Sequence, residues 1–453
     1  MRRVVKVSRI RIIITIIVVV LTTLLTGCTG KEPNEIAYVV ALGIDSTDDD
    51  NYKITIQYAN TTQISGGASE SGGKAGSEIV DNVTIEAPNI YAGVGLANNI
   101  VSKSFSMSHA KLIVFSKEIA EKGVKDMIET LVRSEEIRPD VFIAVANTTA
   151  NDYLTSVNPE MEVNPAQYYQ LIYQKNQLVG IPDGQLREFF TGLYTDNYDS
   201  ILPVAGVIDG SGGNSQNDDK GQSKDSQNEG SEGSSESLDS FESKSSNENE
   251  KEKDAEKNTS KYEYDIKNYV GGETTIEKKN KAEAIGAAVF EKDKMVGELG
   301  EVETEICKIL KGDYTYSYLT YYNNDTPDIP ITVKTTQQKK PKYKIDTDKK
   351  TVDIELYIES DLYSLPADYN VENKIEDFER NVANYTSSTC TEFINNFTKK
   401  YNSDILKLNE KVKYKFLTNN QYNWFKKNVD WSKYKFSVCT DFKVRRTGLI
   451  VRE

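Results

Sequence analysis

A long polar segment, residues 209–260, limits what the chain can fold into. Its sequence is mostly Gly, Ser, Asn, Asp, Glu and Lys, and its apolar residues are Leu238, Phe241 and Ala255 alone. A segment of this composition cannot bury enough apolar surface to offset the entropy lost on ordering. We therefore predict a disordered spacer, with folded structure before it (residues 28–208) and after it (residues 261–453).

Length and charge limit the class of protein. At roughly 100–200 residues per domain, 453 residues suggest two or three domains. The formal net charge of −14 argues against a nucleic-acid partner, because neutralising phosphates requires a basic face. It also argues against a body held on an anionic membrane by electrostatics alone.

The N-terminus has the opposite charge. Five cations between Arg2 and Arg11 precede an apolar run from Ile12 to Leu21, and the first acidic residue is Glu32. A basic region, a short apolar region and small residues at the cleavage site are typical of a secretory signal. The alternative is an uncleaved signal-anchor helix, although the apolar stretch is short of the roughly 20 residues that span a bilayer.

Cys28 favours cleavage. Leu25-Thr26-Gly27-Cys28 resembles the bacterial lipobox, in which the cysteine thiol receives a diacylglyceryl group and the signal is removed just before it. Two acyl chains give stable membrane attachment, whereas one gives only marginal attachment. We predict a signal peptide over residues 1–27 and lipidation of Cys28. The mature chain then has 50 Lys and Arg against 69 Asp and Glu, a charge of about −19.

The other three cysteines are far apart in the sequence and odd in number. Their spacing suits neither a disulfide framework nor a metal site, so we predict buried, unpaired thiols. They are Cys307, Cys390 and Cys439.

Hydrophobic periodicity predicts alternating strands and helices before the spacer. The predicted strands are 36–45, 52–58, 111–115 and 141–146, and the predicted helices are 89–105 and 117–133, with weaker helices at 166–173 and 185–192. The glycine-rich stretch 65–77 is predicted to be a loose hairpin loop.

After the spacer, the pattern predicts a hairpin, a group of strands and one long helix. The predicted elements are a hairpin of 284–290 with 294–299, a helix at 302–310, strands at 314–322, 329–336, 343–346, 352–359 and 433–444, and an amphipathic helix at 371–402. The polar run 386–389 could interrupt that helix. Segregated strands and helices of this kind indicate a multi-domain α+β protein with mixed sheets.

No catalytic or metal-binding motif is found in the sequence. His109 is the single histidine and has no Gly-x-Ser-x-Gly partner motif, so a structural hydrogen-bonding role is predicted for it. The glycines between Gly67 and Ala75 do not match a phosphate-binding loop, and the acidic run Asp45–Asp50 does not match a calcium loop. The tyrosines between Tyr314 and Tyr322 could stack on a sugar but are more often half-buried strand or partner surface. We predict no enzymatic activity, metal or cofactor.

Four stretches of the mature chain resemble the Ger(x)C family, the lipoprotein C subunits of spore nutrient-germinant receptors. They are the lipobox with strands 36–45 and 54–57, the run Ser108–Phe115 continuing to Arg138, the hairpin Gly286–Leu299, and the tail from Tyr401 through Trp424 and Trp431 to Ile450. The chain departs from the family at Thr29-Gly30, where Trp-Asp is common, and in the insertion 209–260.

The resemblance implies an α+β, non-enzymatic subunit that is lipid-anchored on the extracytoplasmic face of the inner spore membrane. Its implied partners are an integral-membrane A subunit and a permease-like B subunit, and nutrient binding is usually assigned to the membrane subunits. The family carries over one site residue, Cys28, and no catalytic residue. Two alternatives remain at this point: a solute-binding lipoprotein of a transporter and a cell-wall hydrolase.

Overall fold

The protein is α+β, as predicted, and its computed structural model contains two mixed β-sheets. The structure describes residues 13–17, 35–49, 51–59, 80–159, 164–174, 180–208, 262–263, 268–274, 280–323, 326–365, 374–401 and 403–447. Cys28, the predicted loop 65–77 and the predicted spacer 209–260 lie outside these residues. Within the described ranges, no helix is both long enough and apolar enough to cross a bilayer.

The first sheet has nine strands in the order β10-β9-β7-β6-β5-β1-β2-β3, with β4 paired to β1. Its central strands β1, β5, β6 and β7 are parallel, β4 is parallel to β1, and β2, β3, β9 and β10 pair antiparallel. The strands are β1 (Ile36–Ser46), β2 (Tyr52–Ala59), β3 (Val80–Ala87), β4 (Ser104–Ser106), β5 (Leu112–Ser116), β6 (Phe142–Ala146), β7 (Ile201–Val207), β9 (Ala282–Glu291) and β10 (Lys294–Leu299).

Helices cover both faces of the first sheet. They are α1 (Ile90–Ile100), α2 (Lys117–Lys122), α3 (Lys125–Val132), α4 (Ala150–Ser156), α5 (Pro165–Gln174) and α6 (Leu186–Thr195). Along β5, Ile113 and Phe115 pack into the core on one face, while Leu112 and Val114 pack into the core on the other. Burial of both faces explains why the parallel strands are continuous apolar runs in the sequence.

Two of the predicted helices are shorter than expected. The predicted helix 117–133 is two helices, α2 and α3, because Gly123 takes a φ of 125° between them. The predicted helix 89–105 ends at Ile100, and the chain then forms β4, where the Phe105 N–H donates to Asn98 Oδ1 at 2.7 Å. Apolar spacing alone did not reveal either break.

The strands that follow the polar segment in sequence complete the first sheet. The hairpin of β9 and β10 was predicted correctly, and β9 pairs antiparallel with β7. The first sheet is therefore made from chain on both sides of residues 209–260. The division of the chain into domains at that segment stays a prediction.

The second sheet has six strands in the order β13-β14-β12-β11-β8, with β15 parallel to β14. Its strands are β8 (Tyr262–Glu263), β11 (Tyr316–Asn323), β12 (Thr326–Thr336), β13 (Lys342–Asp346), β14 (Thr351–Ser364) and β15 (Lys435–Arg446). The helices of this half are α7 (Glu301–Lys311), α8 (Ile375–Lys400), α9 (Leu408–Val412) and α10 (Asn419–Asn428).

The alternation of β15 corrects one prediction about the cysteines. Phe436, Val438 and Phe442 face the core, so Cys439 points outward and is exposed. Cys307 and Cys390 are buried, as predicted, and burial raises the pKa of each thiol to about 12. The register of the strand decides the difference, because successive side chains point to opposite faces.

The long helix α8 is continuous from Ile375 to Lys400, so the polar run 386–389 does not interrupt it. Its apolar face, which includes Phe378, Val382 and Ile394, packs into the core of the second sheet. Its polar face lies along the free edge of β15. Ser387 Oγ accepts from the Thr440 N–H at 2.9 Å, and Thr391 Oγ1 accepts from the Val438 N–H at 3.0 Å.

Candidate functional site

The residues singled out from the sequence do not come together in one site. Cys28 lies outside the described residues. His109 is exposed, its Nδ1 lies 3.0 Å from Ser108 Oγ, and its ring lies 4.8 Å from the ring of Tyr38, edge to face. These local contacts agree with a structural hydrogen-bonding role.

The tyrosines of β11 and the preceding loop are divided between two environments. Tyr314 and Tyr321 are buried, and Tyr314 is hydrogen-bonded to Thr335. Tyr316 and Tyr318 lie on the opposite face, and Lys334 Nζ sits 4.3 Å above the ring of Tyr316. Lys334 thus covers one face of the Tyr316 ring, and Tyr318 is 48% exposed, so the strand is buried on one side and partly exposed on the other.

A cluster of charged side chains, some buried and some exposed, lies between the two sheets. Three carboxylates come from the chain that leads into β7, and the other groups, two acidic and three basic, come from α7 with the turn after it and from the chain after α8. We call this cluster the inter-sheet junction. Its members are Asp183, Glu188, Asp199, Lys308, Lys311, Asp313, Asp404 and Lys407.

Two aspartates tie the main chains of the two halves together. Asp199 Oδ2 accepts from the Asp404 N–H at 2.8 Å, and the Asp199 N–H donates to the Asp404 carbonyl at 3.2 Å. The Asp404 carboxylate accepts from Leu408 N–H and Asn409 N–H at 2.8 and 2.9 Å, where α9 begins. Burial raises the pKa of Asp404 to about 7 in spite of these two bonds.

The lysines of α7 reach toward the first half of the chain. Lys308 and Lys311 are three residues apart and therefore share one face of the helix. Lys308 Nζ donates to the Ile181 carbonyl at 3.1 Å, and Lys311 Nζ lies 3.6 Å from Asp313 Oδ2. Burial lowers the pKa of Lys308 to about 8 and raises the pKa of Asp183.

On its outer side the junction has an ion pair, a hydrogen bond and a close contact between a glycine and an aromatic ring. Lys407 Nζ contacts Glu188 Oε1, with each side chain about 30% exposed (29% and 30%), and it also lies 4.4 Å above the Tyr198 ring. Ser403 Oγ donates to the Phe290 carbonyl at 2.9 Å. At Gly297 the main chain of β10 touches the ring of Tyr401.

The groups of the inter-sheet junction hold the two sheets in a fixed relative position. Its carboxylates and ammonium groups are engaged with each other or with main-chain groups, so their charges serve packing. Among the described residues, no group of three His, Cys, Asp or Glu side chains is placed to hold a metal ion. The junction thus joins the two sheets through contacts between their side chains and main chains.

Sequence reasoning did not find the junction. Ser403 and Asp404 lie in the tail that begins at Tyr401, and the lysines of α7 are ordinary members of a helical stripe. The available signal was a run of charges, Glu305, Lys308 and Lys311, on a short helix that also carries Ile306, Cys307 and Ile309. That signal cannot distinguish a buried ion network from a solvated face.

Comparison with known proteins identifies the family. The family model described as the spore germination protein N-terminal domain matches residues 30–207, and the model described as spore germination B3/GerAC like, C-terminal, matches residues 285–448. Together they match more than half of the chain. The chain belongs to the Ger(x)C family. The resemblance inferred from the sequence is therefore confirmed, and the Ger(x)C family is one of germinant-receptor C subunits.

Several relatives are spore germination proteins of Bacillus subtilis (strain 168). Spore germination protein KC is 26% identical over 174 residues, which are 35% of this chain and 42% of that protein. The putative spore germination protein YfkR is 28% identical over 145 residues, or 32% and 37%. Spore germination protein B3 is 26% identical over 148 residues, or 30% and 36%. The chain thus spans less than half the length of the curated relatives it matches.

One solved structure is also similar in outline. The crystal structure of the GerBC protein covers 89% of this Ger(x)C chain and 96% of its own, with a TM-score of 0.47 and 14% sequence identity.

Proposed function

We propose that this protein is the lipid-anchored, non-enzymatic C subunit of a spore nutrient-germinant receptor. It acts with an integral-membrane A subunit and a permease-like B subunit on the extracytoplasmic face of the inner spore membrane. The observation that supports this most is the match of two successive family models, at residues 30–207 and 285–448.

The anchor in this proposal is Cys28. Its thiol lies eight residues before Ile36, where β1 begins. A stretch of that length reaches at most about 28 Å when fully extended. Two acyl chains on Cys28 would hold the first sheet close to the bilayer and raise its effective concentration near membrane partners.

The inter-sheet junction supports a role in assembly or signalling. A contact that displaces one sheet must either carry the other with it or break the paired groups Asp199–Asp404 and Glu188–Lys407. Breaking the first contact leaves the buried Asp404 N–H unsatisfied, which is costly, whereas the partly exposed Glu188–Lys407 pair contributes less. The two halves of the subunit therefore respond to a partner as one body.

Replacement of Cys28 by alanine tests the anchor, with Cys439→Ala as the matched control because Cys439 is exposed in β15. In spores, we expect the Cys28→Ala protein to lose fatty-acid label, to leave the membrane fraction and to weaken the nutrient response. Cys439→Ala should behave as the wild type. Normal retention and germination in the Cys28→Ala strain would contradict the proposal.

Copurification tests the partners. The full chain, extracted from membranes in mild detergent, should bring down two multi-span membrane proteins whose genes lie beside its own. A preparation that instead contains no such protein, and whose thermal midpoint rises when nutrients alone are added, would favour the solute-binding alternative.

A further inference from the structure

The region 413–428, between the end of α9 and the end of α10, carries large apolar side chains that the fold does not cover. The exposed fractions are 95% for Leu417, 77% for Tyr414 and 69% for Trp424. Leu417 and Trp424 line one open groove together with Lys415. We call these four residues, with Lys413 and Lys427, the 413–428 surface.

The floor of the groove is made of side chains packed into the core, and the exposed side chains stand above it. Phe416 and Phe425 have ring centroids 4.9 Å apart and pack against the core of the second half. Leu417 stands just before Thr418, the N-cap of α10, a position whose side chain often packs back on the helix. Here Leu417 is left almost wholly exposed.

The charge of the region is opposite to that of the chain. Residues 413–428 contain four lysines and no Asp or Glu, in a protein of net charge −14. Lys413, Lys415 and Lys427 are exposed, and Lys427 follows Trp424 by three positions, so the two share one face of α10. The Lys415 ammonium donates to the Ile345 carbonyl next to Asp346, which leaves Lys413 and Lys427 as the lysines that make this surface basic.

Exposed Trp, Tyr and Leu side chains with lysines in the same segment are typical of a surface that meets a lipid–water interface. Aromatic rings with a polar end favour the headgroup level, and lysines are attracted to anionic headgroups. A protein partner would more often meet apolar residues with few lysines, since lysine is depleted from protein–protein interfaces. Charge complementarity thus favours anionic lipid as the occupant.

The position of the surface agrees with this. Lys426 Nζ donates to the Thr195 carbonyl at 2.7 Å and to Asn197 Oδ1 at 2.8 Å, which fixes α10 beside the chain that enters β7. Because β1 and β7 belong to the same parallel set, both strands begin at the same end of the first sheet, the end that α10 lies beside. The chain from Cys28 enters β1 there, a step that rests on the proposed anchor.

We propose that the 413–428 surface is a second membrane contact, which lies on anionic phospholipid headgroups with Trp424 and Leu417 inserted at the interface. The acyl chains hold the protein at the bilayer, and this surface fixes its orientation. Such pairing of lipid chains with a basic patch is how many peripheral proteins attach stably.

Fluorescence tests the contact, because the chain has two tryptophans and Trp431 is buried. The full lipidated chain and its Trp424→Phe variant are reconstituted into vesicles of phosphatidylcholine, with and without phosphatidylglycerol. The difference between the two spectra reports Trp424. We expect its emission to shift to the blue and to be quenched by lipids brominated on the acyl chain, only in the anionic vesicles.

The lysines supply the control. In the double variant Lys413→Glu, Lys427→Glu, the ratio of inserted to free Trp424 should fall at least about tenfold, since each cation near an anionic surface adds about fivefold to that ratio. The pair Lys294→Glu, Lys340→Glu makes the same charge change on exposed lysines outside the surface and should leave the contact unchanged. High salt should weaken the contact.

Three results would overturn the proposal. The first is water-like Trp424 emission in both kinds of vesicle. The second is an emission shift that is the same in the wild type and in the Lys413→Glu, Lys427→Glu variant. The third is a shift seen only after the A and B subunits are added, which would indicate a protein partner. Flotation of the protein with the vesicles measures attachment by the lipid anchor independently of Trp424. A floating chain with unshifted Trp424 would refute this contact and leave the proposed anchor standing.

Discussion

The side-chain amide of Asn395 on α8 forms two hydrogen bonds with the main chain of Phe436 on β15, the same two that a residue of a neighbouring strand would form. Its Oδ1 accepts from the Phe436 N–H at 3.1 Å, and its Nδ2 donates to the Phe436 carbonyl at 3.0 Å. Thr391 and Ser387 continue the row along the strand. A helix spacing of four residues and a strand spacing of two are both about 6–7 Å, so a helix can satisfy an edge strand.

Asn395→Leu should destabilise the second sheet by about 2–3 kcal/mol, because it leaves both a donor and an acceptor of Phe436 without a partner. Chemical denaturation of the purified chain measures the change. The matched control is Asn396→Leu, on the exposed side of the same helix, which should lie within about 0.5 kcal/mol of wild type. Equal effects of the two substitutions would show that the side-chain pairing contributes little.

Glu305 should make stability depend on pH. Burial, and then the nearby Glu301, raise its pKa to about 7 from an ordinary 4.5. A raised carboxyl pKa means that the stability present at low pH is lost as pH rises through about 7. Glu305→Gln removes this loss, so at pH 8 the variant should be the more stable by up to about 3 kcal/mol.

Denaturation midpoints between pH 4 and pH 8 test this prediction. At the acidic end the two proteins should be similar, since the wild-type carboxyl is then neutral as well. Glu392→Gln, on the exposed side of α8, should follow the wild type throughout. Parallel pH curves for the wild type and Glu305→Gln would show that this carboxyl does not titrate as stated.

Gly297→Ala should loosen the inter-sheet junction, because an added methyl group would overlap the ring of Tyr401. The expected loss is about 1–3 kcal/mol, as for other overpacked contacts. Gly95→Ala is the control, since its methyl would meet open space on α1 and should stabilise the helix by up to about 1 kcal/mol.

A double-mutant cycle with Tyr401→Ala makes the measurement specific. If the ring causes the loss, Gly297→Ala should cost much less in the Tyr401→Ala background. An undiminished cost there would place the strain elsewhere in β10.

The sequence predicted the elements best where burial alone determines the pattern. Runs such as 112–116 and 142–146 are apolar throughout because helices cover both faces of the sheet, and β15 alternates because only one face is covered. The sequence did not predict where a helix ends when a single residue determines the end. Gly123 is an ordinary glycine in the sequence, and only its φ of 125° shows that a helix ends there.

The sequence by itself determined the α+β class and the family, and it predicts an anchor at Cys28, because periodicity and motif order are local properties of the chain. The tertiary structure alone decided that β9 and β10 complete the first sheet and that the polar stripe of α8 covers the edge of β15. It also decided that Asp199 meets Asp404 and that Lys426 meets Asn197. These pairs are more than 200 positions apart, and no local pattern encodes which distant groups share a buried volume.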